Sequence, residues 1–245
     1  LFAGALFGGS GLVAVSAYFI GIAAIIISGI ILKKTKMFAG DPAPFVMELP
    51  AYHVPAAVNV LRATWERGWS FIKRAGTIIL ASSIILWFLQ GFGFVDGQFG
   101  MVEDNNSSIL ASIGSAICII FAPLGFGDWQ STVAVFTGLI AKENVVSTFG
   151  VLFGVGSEVA EDDPSLWTAV AAHYTPLVAY SFMIFNLLCA PCFAAMGAIK
   201  REMNNWKWTL GAIGYMCGLA YVVSFIVYQI GSLFVGGGFG IGTVI

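Results

Sequence analysis

Charged residues are scarce in this chain. Asp, Glu, Lys and Arg account for only 10% of its 245 residues, whereas 58% are hydrophobic, and the mean hydropathy is +0.90. Soluble globular domains carry about 25% charged residues, so this composition excludes a soluble domain. The formal net charge of −2 says little, because membrane topology depends on where the basic residues lie. The sequence therefore predicts an all-α fold, a polytopic transmembrane helical bundle with broken helices.

The usual catalytic signatures are also absent. The sequence has no G-x-x-x-x-G-K-[ST] phosphate-binding loop, no His-Glu-x-x-His pair and no Ser/His/Asp arrangement, and His53 and His173 are isolated. We therefore expect no enzyme activity and no nucleotide hydrolysis from this chain. Its four cysteines all lie in apolar runs, which excludes a secreted disulfide framework. Because Leu1 opens directly into apolar sequence, we expect a fragment of a longer protein.

The basic residues predict the orientation of the N-terminal part. Seven of the eleven lysines and arginines lie within 33–74, and basic residues favour the cytoplasmic side. Residues 1–32 are therefore predicted as a transmembrane helix that runs inward, and 33–74 as a cytoplasmic segment. Within this segment, four prolines predict a loop over Met37–Pro55. Ala56–Arg74 has the pattern of an amphipathic helix that lies on the membrane surface.

The remaining apolar runs predict five more crossings, six in all. Residues 75–107 hold a transmembrane helix, Ala75–Phe94, and an acidic outer loop, while 235–245 form a Gly-rich tail. Within 108–234, the crossings are predicted at Ser108–Pro123, Gln130–Phe153, Thr175–Lys200 and Trp206–Phe234. The first of these is short for a span, so half of a re-entrant hairpin is the alternative there.

Thr175–Lys200 contains a predicted break with two thiols. Pro191 has no N–H, so the carbonyl of Leu187 loses its helical partner and the helix should kink or open. At membrane depth such a break is tolerated where it faces protein or a wet cavity. Cys189 and Cys192 would share one face of a regular helix. We interpret the break as lining a pathway for a soft or borderline cation; the alternatives are small packing residues and a redox-active pair.

Gln130–Phe153 carries Lys142, Glu143 and Asn144 near its centre. Intramembrane charges normally face the interior of a bundle and carry function. On a continuous helix, Glu143 and Asn144 would share a broad face with Thr137, Ser147 and Thr148, while Lys142 points elsewhere. Carboxylate and amide oxygens with nearby thiolates suit a divalent first-row metal. The alternative is that Lys142 and Glu143 only neutralise partners on other helices.

Four residues are assigned to gating or to the pathway itself: Pro191, Asp128, Lys142 and Ser147. Asp128 closes a Gly-rich turn at the start of the Gln130 helix. It is equally well placed as a helix N-cap and as a residue for ion access.

Several motifs together resemble the bacterial ferrous iron transport protein B family. They are Met47-Glu48-Leu49-Pro50, Trp65-Glu66-Arg67, the run from Phe71 to Ile79, Gly127-Asp128-Trp129-Gln130, the run from Gly138 to Thr148, and Leu188-Cys189-Ala190-Pro191-Cys192. The resemblance implies the C-terminal membrane permease part, with 1–32 as the end of a first gate region and 108–234 as a second. It also implies metal-linked gate cysteines at Cys189 and Cys192 and an acidic segment at Lys142 to Asn144.

The resemblance further implies the cargo and the surroundings. Fe²⁺ would be the transported substrate, with no permanently bound cofactor, in the bacterial inner membrane. Partners would be membrane lipid, an N-terminal GTPase domain of the same full-length protein, a homo-oligomer and a small cytoplasmic accessory protein, with no nucleic acid. The residues alone also suit a nucleoside-type or other polar-solute carrier, or a membrane thiol-disulfide oxidoreductase using Cys189 and Cys192.

Overall fold

The computed structural model describes residues 1–35, 38, 56–95, 98–102, 107–142, 144–156, 160 and 162–234. These residues are mostly helical. The elements, in chain order, are α1 Phe2–Phe7, α2 Gly11–Lys34, α3 Ala57–Gly91, β1 Phe92–Val95, β2 Gln98–Met101, α4 Ile109–Ile117, α5 Trp129–Ile140, α6 Asn144–Leu152, α7 Pro164–His173, α8 Pro176–Leu188, α9 Phe193–Met203 and α10 Trp206–Phe234. The predicted loop Met37–Pro55, apart from Phe38, and the predicted tail 235–245 lie outside the described residues.

Two described helices, α2 and α10, are long and apolar enough to cross a membrane. The pair α7 and α8 would make a third if it counts as one span, although its two helices meet at 105°. The predicted span Trp206–Phe234 is therefore confirmed as an unbroken apolar helix, and the total of six crossings is not confirmed. Much of the large apolar surface of α2 and α10 is exposed, as lipid-facing helices require.

The predicted first run, 1–32, forms two helices rather than one. Gly8 (φ 60°) and Gly9 (φ 73°) both adopt left-handed backbone, which an L side chain disfavours, and they end α1 before α2 begins. The short α1 packs on α7, where Gly4 leaves room for the Trp167 ring. The first 10 residues thus form a separate element, which is half-buried apart from buried Phe2 and exposed Gly8 and Gly9.

The predicted surface helix, Ala56–Arg74, and the predicted span after it are one continuous helix, α3. At 1.5 Å per residue α3 is about 52 Å long. The prediction of two separate elements was wrong: no proline separates them, and Thr77, a possible N-cap, instead donates its hydroxyl to the Lys73 carbonyl within the helix. The amphipathic pattern indicated which residues share a face, but it carried no information about where the helix ends.

A short β-hairpin, which the all-α prediction did not include, follows α3. β1 and β2 pair antiparallel, with Phe92 opposite Met101 and Val95 opposite Gln98. The two residues between the strands in the sequence are Asp96 and Gly97, and Asp-Gly flanked by alternating hydrophobic residues is a strong hairpin signal. The helix predicted to reach Phe94 therefore ends at Gly91.

The segment predicted as the crossing Ser108–Pro123 is too short to span. After the Ser108 N-cap it forms α4 and then two 3₁₀ turns, Cys118–Ile120 and Ala122–Leu124. Its end lies inside the bundle, because the carbonyl of fully buried Leu124 accepts a hydrogen bond from Ser181 Oγ of α8 at 2.8 Å. This arrangement agrees with the alternative of a re-entrant segment.

The predicted crossing Gln130–Phe153 is a helical hairpin, and the prediction of one continuous helix was wrong. At the start of α5, Ser131 Oγ lies 2.6 Å from Tyr174 OH. At the end of α6, the ring of Phe149 lies 5.8 Å from the ring of Tyr174. Both ends of the segment therefore lie beside Tyr174, and the chain reverses between them. Gly138 permits the close packing, since a Cβ there would lie 2.9 Å from Val145.

An aromatic core joins this α5–α6 hairpin to the rest of the bundle. The Phe149 ring packs against Phe2 of α1 and Phe182 of α8 at centroid distances of 5.6 and 5.7 Å. Phe126, after the 3₁₀ turns, packs on the same Phe182 at 5.3 Å. Phe126, Phe149 and Phe182 are all at most 1% exposed, so burial of large rings positions the hairpin against α8.

The reversal between α5 and α6 predicts a specific cross-link. The hydroxyls of Thr137 and Thr148 lie 2.9 Å apart, whereas eleven residues along a continuous helix span about 16 Å. The double variant Thr137→Cys/Thr148→Cys should form a disulfide under mild oxidation, detected by mass spectrometry of the linked peptides. The control pair Thr209→Cys/Ala220→Cys has the same spacing within unbroken α10 and should stay reduced. Failure of the first pair to link would contradict the hairpin.

Candidate functional site

The α8–α9 break is where the sequence predicted an interruption, and the structure confirms it. α8 ends at Leu188 and α9 begins at Phe193, with Cys189 (φ −58°, ψ 163°) and Cys192 (φ −57°, ψ 159°) in extended backbone. Pro191 lies between them and cannot donate to a helical ladder. The break opens backbone groups in the middle of an otherwise apolar segment.

The two cysteines do not share a helix face, and that part of the prediction was wrong. The argument assumed regular helix at both positions, but both lie in the non-helical break. Cys189 instead faces α10, where its Sγ lies 3.8 Å from Sγ of Cys217. Cys189 is buried, and Cys192 is partly exposed at the start of α9. The sequence contains no signal that could pair Cys217 with Cys189.

Lys142 lies at the tip of the α5–α6 hairpin and touches the α8–α9 break. Ala141 is extended (φ −154°, ψ 125°) and ends α5, which frees Lys142 from the helix. Its Nζ donates a 2.7 Å hydrogen bond to the carbonyl of Asn186 near the end of α8. A helix C-terminus carries partial negative charge, so an ammonium there is well placed. The prediction that Lys142 points away from the site was wrong.

The other predicted residues of this segment have different positions. Glu143 lies outside the described residues. Asn144 begins α6, and its carbonyl accepts a hydrogen bond from Thr148. Ser147 is partly buried one turn further along the same helix. The hairpin thus brings Lys142 and Asn144 toward the α8–α9 break.

A pocket of about 420 Å³ adjoins the hairpin tip. Lys142 and Asn186 form its polar part, and its remaining lining is mostly apolar, from α1, α2, α6 and α8. The hairpin tip thus borders a mostly apolar pocket, to which Lys142 and Asn186 contribute the polar groups. Among the described residues, no group of three or more His, Cys, Asp or Glu side chains is assembled, so any ligand set for a metal must include backbone, amide or undescribed groups.

Asp128 lies at the other end of α5, away from the hairpin tip. Its carboxylate caps α5 by accepting from Ser131 N and Ser131 Oγ, both at 2.7 Å. Ser131 Oγ also lies 2.6 Å from Tyr174 OH, and His173 Nε2 lies 3.7 Å from the carboxylate. The structure therefore shows the N-cap role and separates Asp128 from the cysteines. Sequence reasoning missed this cluster because its members come from distant segments.

Two protein-family models match parts of this chain. Residues 14–67 match the model described as ferrous iron transport protein B C terminus, and residues 72–206 match the model described as nucleoside recognition. The second match includes both the α5–α6 hairpin and the α8–α9 break. No solved structure matches the chain.

Curated relatives match along nearly the whole chain. The Fe(2+) transporter FeoB of Staphylococcus aureus strain COL is 38% identical over 224 residues, which is 91% of this chain and 32% of the relative. The Fe(2+) transporter FeoB of Methanocaldococcus jannaschii is 38% identical over 95% of this chain and 34% of its own length. The Escherichia coli K12 transporter FeoB is 33% identical over 95% of this chain and 36% of its own length.

The chain therefore spans about a third of the length of these relatives. The nucleoside-recognition model covers more than half of the chain, and the ferrous iron model precedes it directly. This chain belongs to the nucleoside-recognition gate family, in the form that is similar to the C-terminal part of ferrous iron transport protein B.

Proposed function

We propose that this chain is the membrane permease portion of a ferrous iron uptake transporter. The observation that carries the proposal is the meeting of two helix breaks, at the hairpin tip and at the thiol-bearing α8–α9 break, in a chain similar to Fe(2+) transporters over more than nine tenths of its length. Discontinuous helices in membrane proteins place freed backbone groups around transported ions. The chain acts as a conduit and carries out no chemical conversion.

The proposed topology revises the six predicted crossings to four crossings and two re-entrant segments. α2, α3, α8 with α9, and α10 cross, while α4 and the α5–α6 hairpin enter and return. A re-entrant segment leaves the membrane on the side from which it entered, so it does not alter the side on which later residues lie. Residues 33–74 and the basic cluster at 200–207 therefore stay on the cytoplasmic side, as the positive-inside rule requires. The host membrane is the bacterial inner membrane.

The proposed metal ligands are Cys189, Cys192, Glu143 and Asn144. Thiolates select borderline metals over Mg²⁺ and Ca²⁺, which prefer oxygen. Few ligands suit a pathway, because the ion must also leave. Pro191 keeps the break open, and Lys142 holds the hairpin tip against it, while Ser147 lines the approach along α6. Asp128 contributes to the proposed pathway indirectly, because it caps α5 and thereby helps to position this helix.

The coupling and the partners are also proposals. Fe²⁺ uptake would be driven by a GTPase domain elsewhere in the full-length protein, with a homo-oligomer and a small cytoplasmic accessory protein as further partners. A nucleoside-type carrier and a membrane thiol-disulfide oxidoreductase are not favoured, because the curated relatives are named as Fe(2+) transporters.

Lys142 and Glu143, which are adjacent in the sequence, should differ in their effect on transport. In the intact protein, Glu143→Gln removes a carboxylate ligand and should reduce Fe(II) uptake by about tenfold or more, as expected when a metal's coordination is disturbed. Lys142→Gln retains an N–H donor for the Asn186 carbonyl and should cost less, whereas Lys142→Met cannot make that bond and should be worse than Lys142→Gln. The measurement is the rate of radioactive Fe(II) uptake by cells that carry equal amounts of each variant in their membranes. Equal, mild losses in all three variants would indicate a structural ion pair instead.

Removal of both break thiols should abolish most Fe(II) uptake. The Cys189→Ser/Cys192→Ser variant keeps side-chain size but removes the soft ligands, so uptake should fall and Mg²⁺ should compete more effectively. The control is Cys118→Ser, since the Cys118 thiol only donates to the Ser115 carbonyl in α4. If the double variant takes up Fe(II) at the rate of the unmodified protein, the proposed role of the cysteines is overturned. The metal would then be bound along the pathway by oxygen ligands.

A further inference from the structure

We infer that Cys217 of α10 is a sulfur ligand for the transported metal and pairs with Cys189, so that the soft site bridges α10 and the α8–α9 break. This inference rests on the proposed function and extends it to a third cysteine. Cys217 lies 28 residues beyond Cys189 and forms no sequence motif with it.

The distance between the two sulfurs carries the inference. Sγ of Cys189 and Sγ of Cys217 lie 3.8 Å apart. Two thiolates bound to one tetrahedral first-row metal, with bonds of about 2.3 Å as for zinc, lie about 3.8 Å apart. The two sulfurs therefore already lie at the separation that two thiolate ligands of one ion would have.

One basic group lies near the pair. The Lys142 ammonium, bound to the Asn186 carbonyl, is close enough to Cys189 for an electrostatic interaction. A positive charge at this position is complementary to negative charge on sulfur. Each thiol that binds the divalent ion releases one proton to water, as metal binding by cysteine requires.

The position of Cys217 means that a bound ion would connect two helices. α10 is an unbroken helix of 29 residues, and it packs antiparallel to α8 through contacts such as Ser181 Oγ to Ser224 Oγ at 2.8 Å. An ion held by Cys189 and Cys217 would join α10 to the end of α8. Cys192 lies three residues beyond Cys189 in the same break and is partly exposed.

Cobalt(II) binding tests the pairing without depending on transport. The intact, reduced protein is titrated with Co(II) under anaerobic conditions, and thiolate-to-cobalt charge-transfer absorption is recorded. Cys217→Ser and Cys189→Ser should each weaken Co(II) binding by at least about tenfold, since even outer-shell partners of metal ligands contribute that much, and each should reduce the absorption. Cys118→Ser should change neither. Fe(II) uptake should fall in Cys217→Ser as it does in Cys189→Ser.

A second variant, Cys217→Ala, separates ligation from packing. If Cys217 is a packing residue only, both Cys217 variants will keep the parental cobalt spectrum and the parental affinity, and the inference is overturned. Loss of the signal in Cys189→Ser alone would overturn the role of Cys217 and leave the proposed function intact. If the Cys189 and Cys217 variants all take up Fe(II) at the rate of the unmodified protein, the proposal that thiols bind the transported metal is overturned as well. Thermal unfolding and gel-filtration profiles confirm that each variant is folded.

Discussion

The hydrogen bond from Lys142 Nζ to the Asn186 carbonyl joins the two interrupted segments of this protein. Placing an ammonium at the centre of a membrane costs about 2.5–3.5 kcal/mol, and a hydrogen bond to a charged group contributes about 1.5–3 kcal/mol. The Lys142 side chain stays exposed in this structure, so the bond offsets only part of such a cost. The negative end of the α8 dipole adds to the stabilisation. This contact joins the hairpin tip to the end of α8.

The aromatic core positions the base of the α5–α6 hairpin, and the helix breaks lie at its tip. Burial of Phe126, Phe149 and Phe182 fixes the base of the α5–α6 hairpin against α8. At the tip, apolar packing of residues such as Val145 and buried Ala141 is joined by the Lys142 hydrogen bond, where Ala141, Cys189 and Cys192 leave helical geometry. Rigid apolar packing on one side and open backbone groups on the other are the features that an ion pathway through lipid requires.

Sequence patterns predicted the class of the protein, the helix α10, the Pro191 break and the polar centre around Lys142. Each of these has a local cause: long apolar runs, a proline and charges within them. The reversal between α5 and α6 has no local signal of that kind, because the segment contains neither proline nor a Gly pair at the turn, and its apolar length matches a span. The contacts of Cys189 with Cys217 and of Asp128 with His173 join distant segments, so only the tertiary fold reveals them.

The central claim is that the region where the hairpin tip meets the α8–α9 break conducts Fe(II). Flux through the purified intact protein in proteoliposomes, measured anaerobically for Fe(II), Mn(II), Zn(II) and Mg(II) with internal metal-sensitive dyes, tests it most directly. The account predicts saturable Fe(II) flux that exceeds Mg(II) flux and that is blocked by thiol-binding mercurials added to the reduced protein. Equal fluxes for Fe(II) and Mg(II), insensitive to mercurials, would contradict a thiol-lined iron pathway.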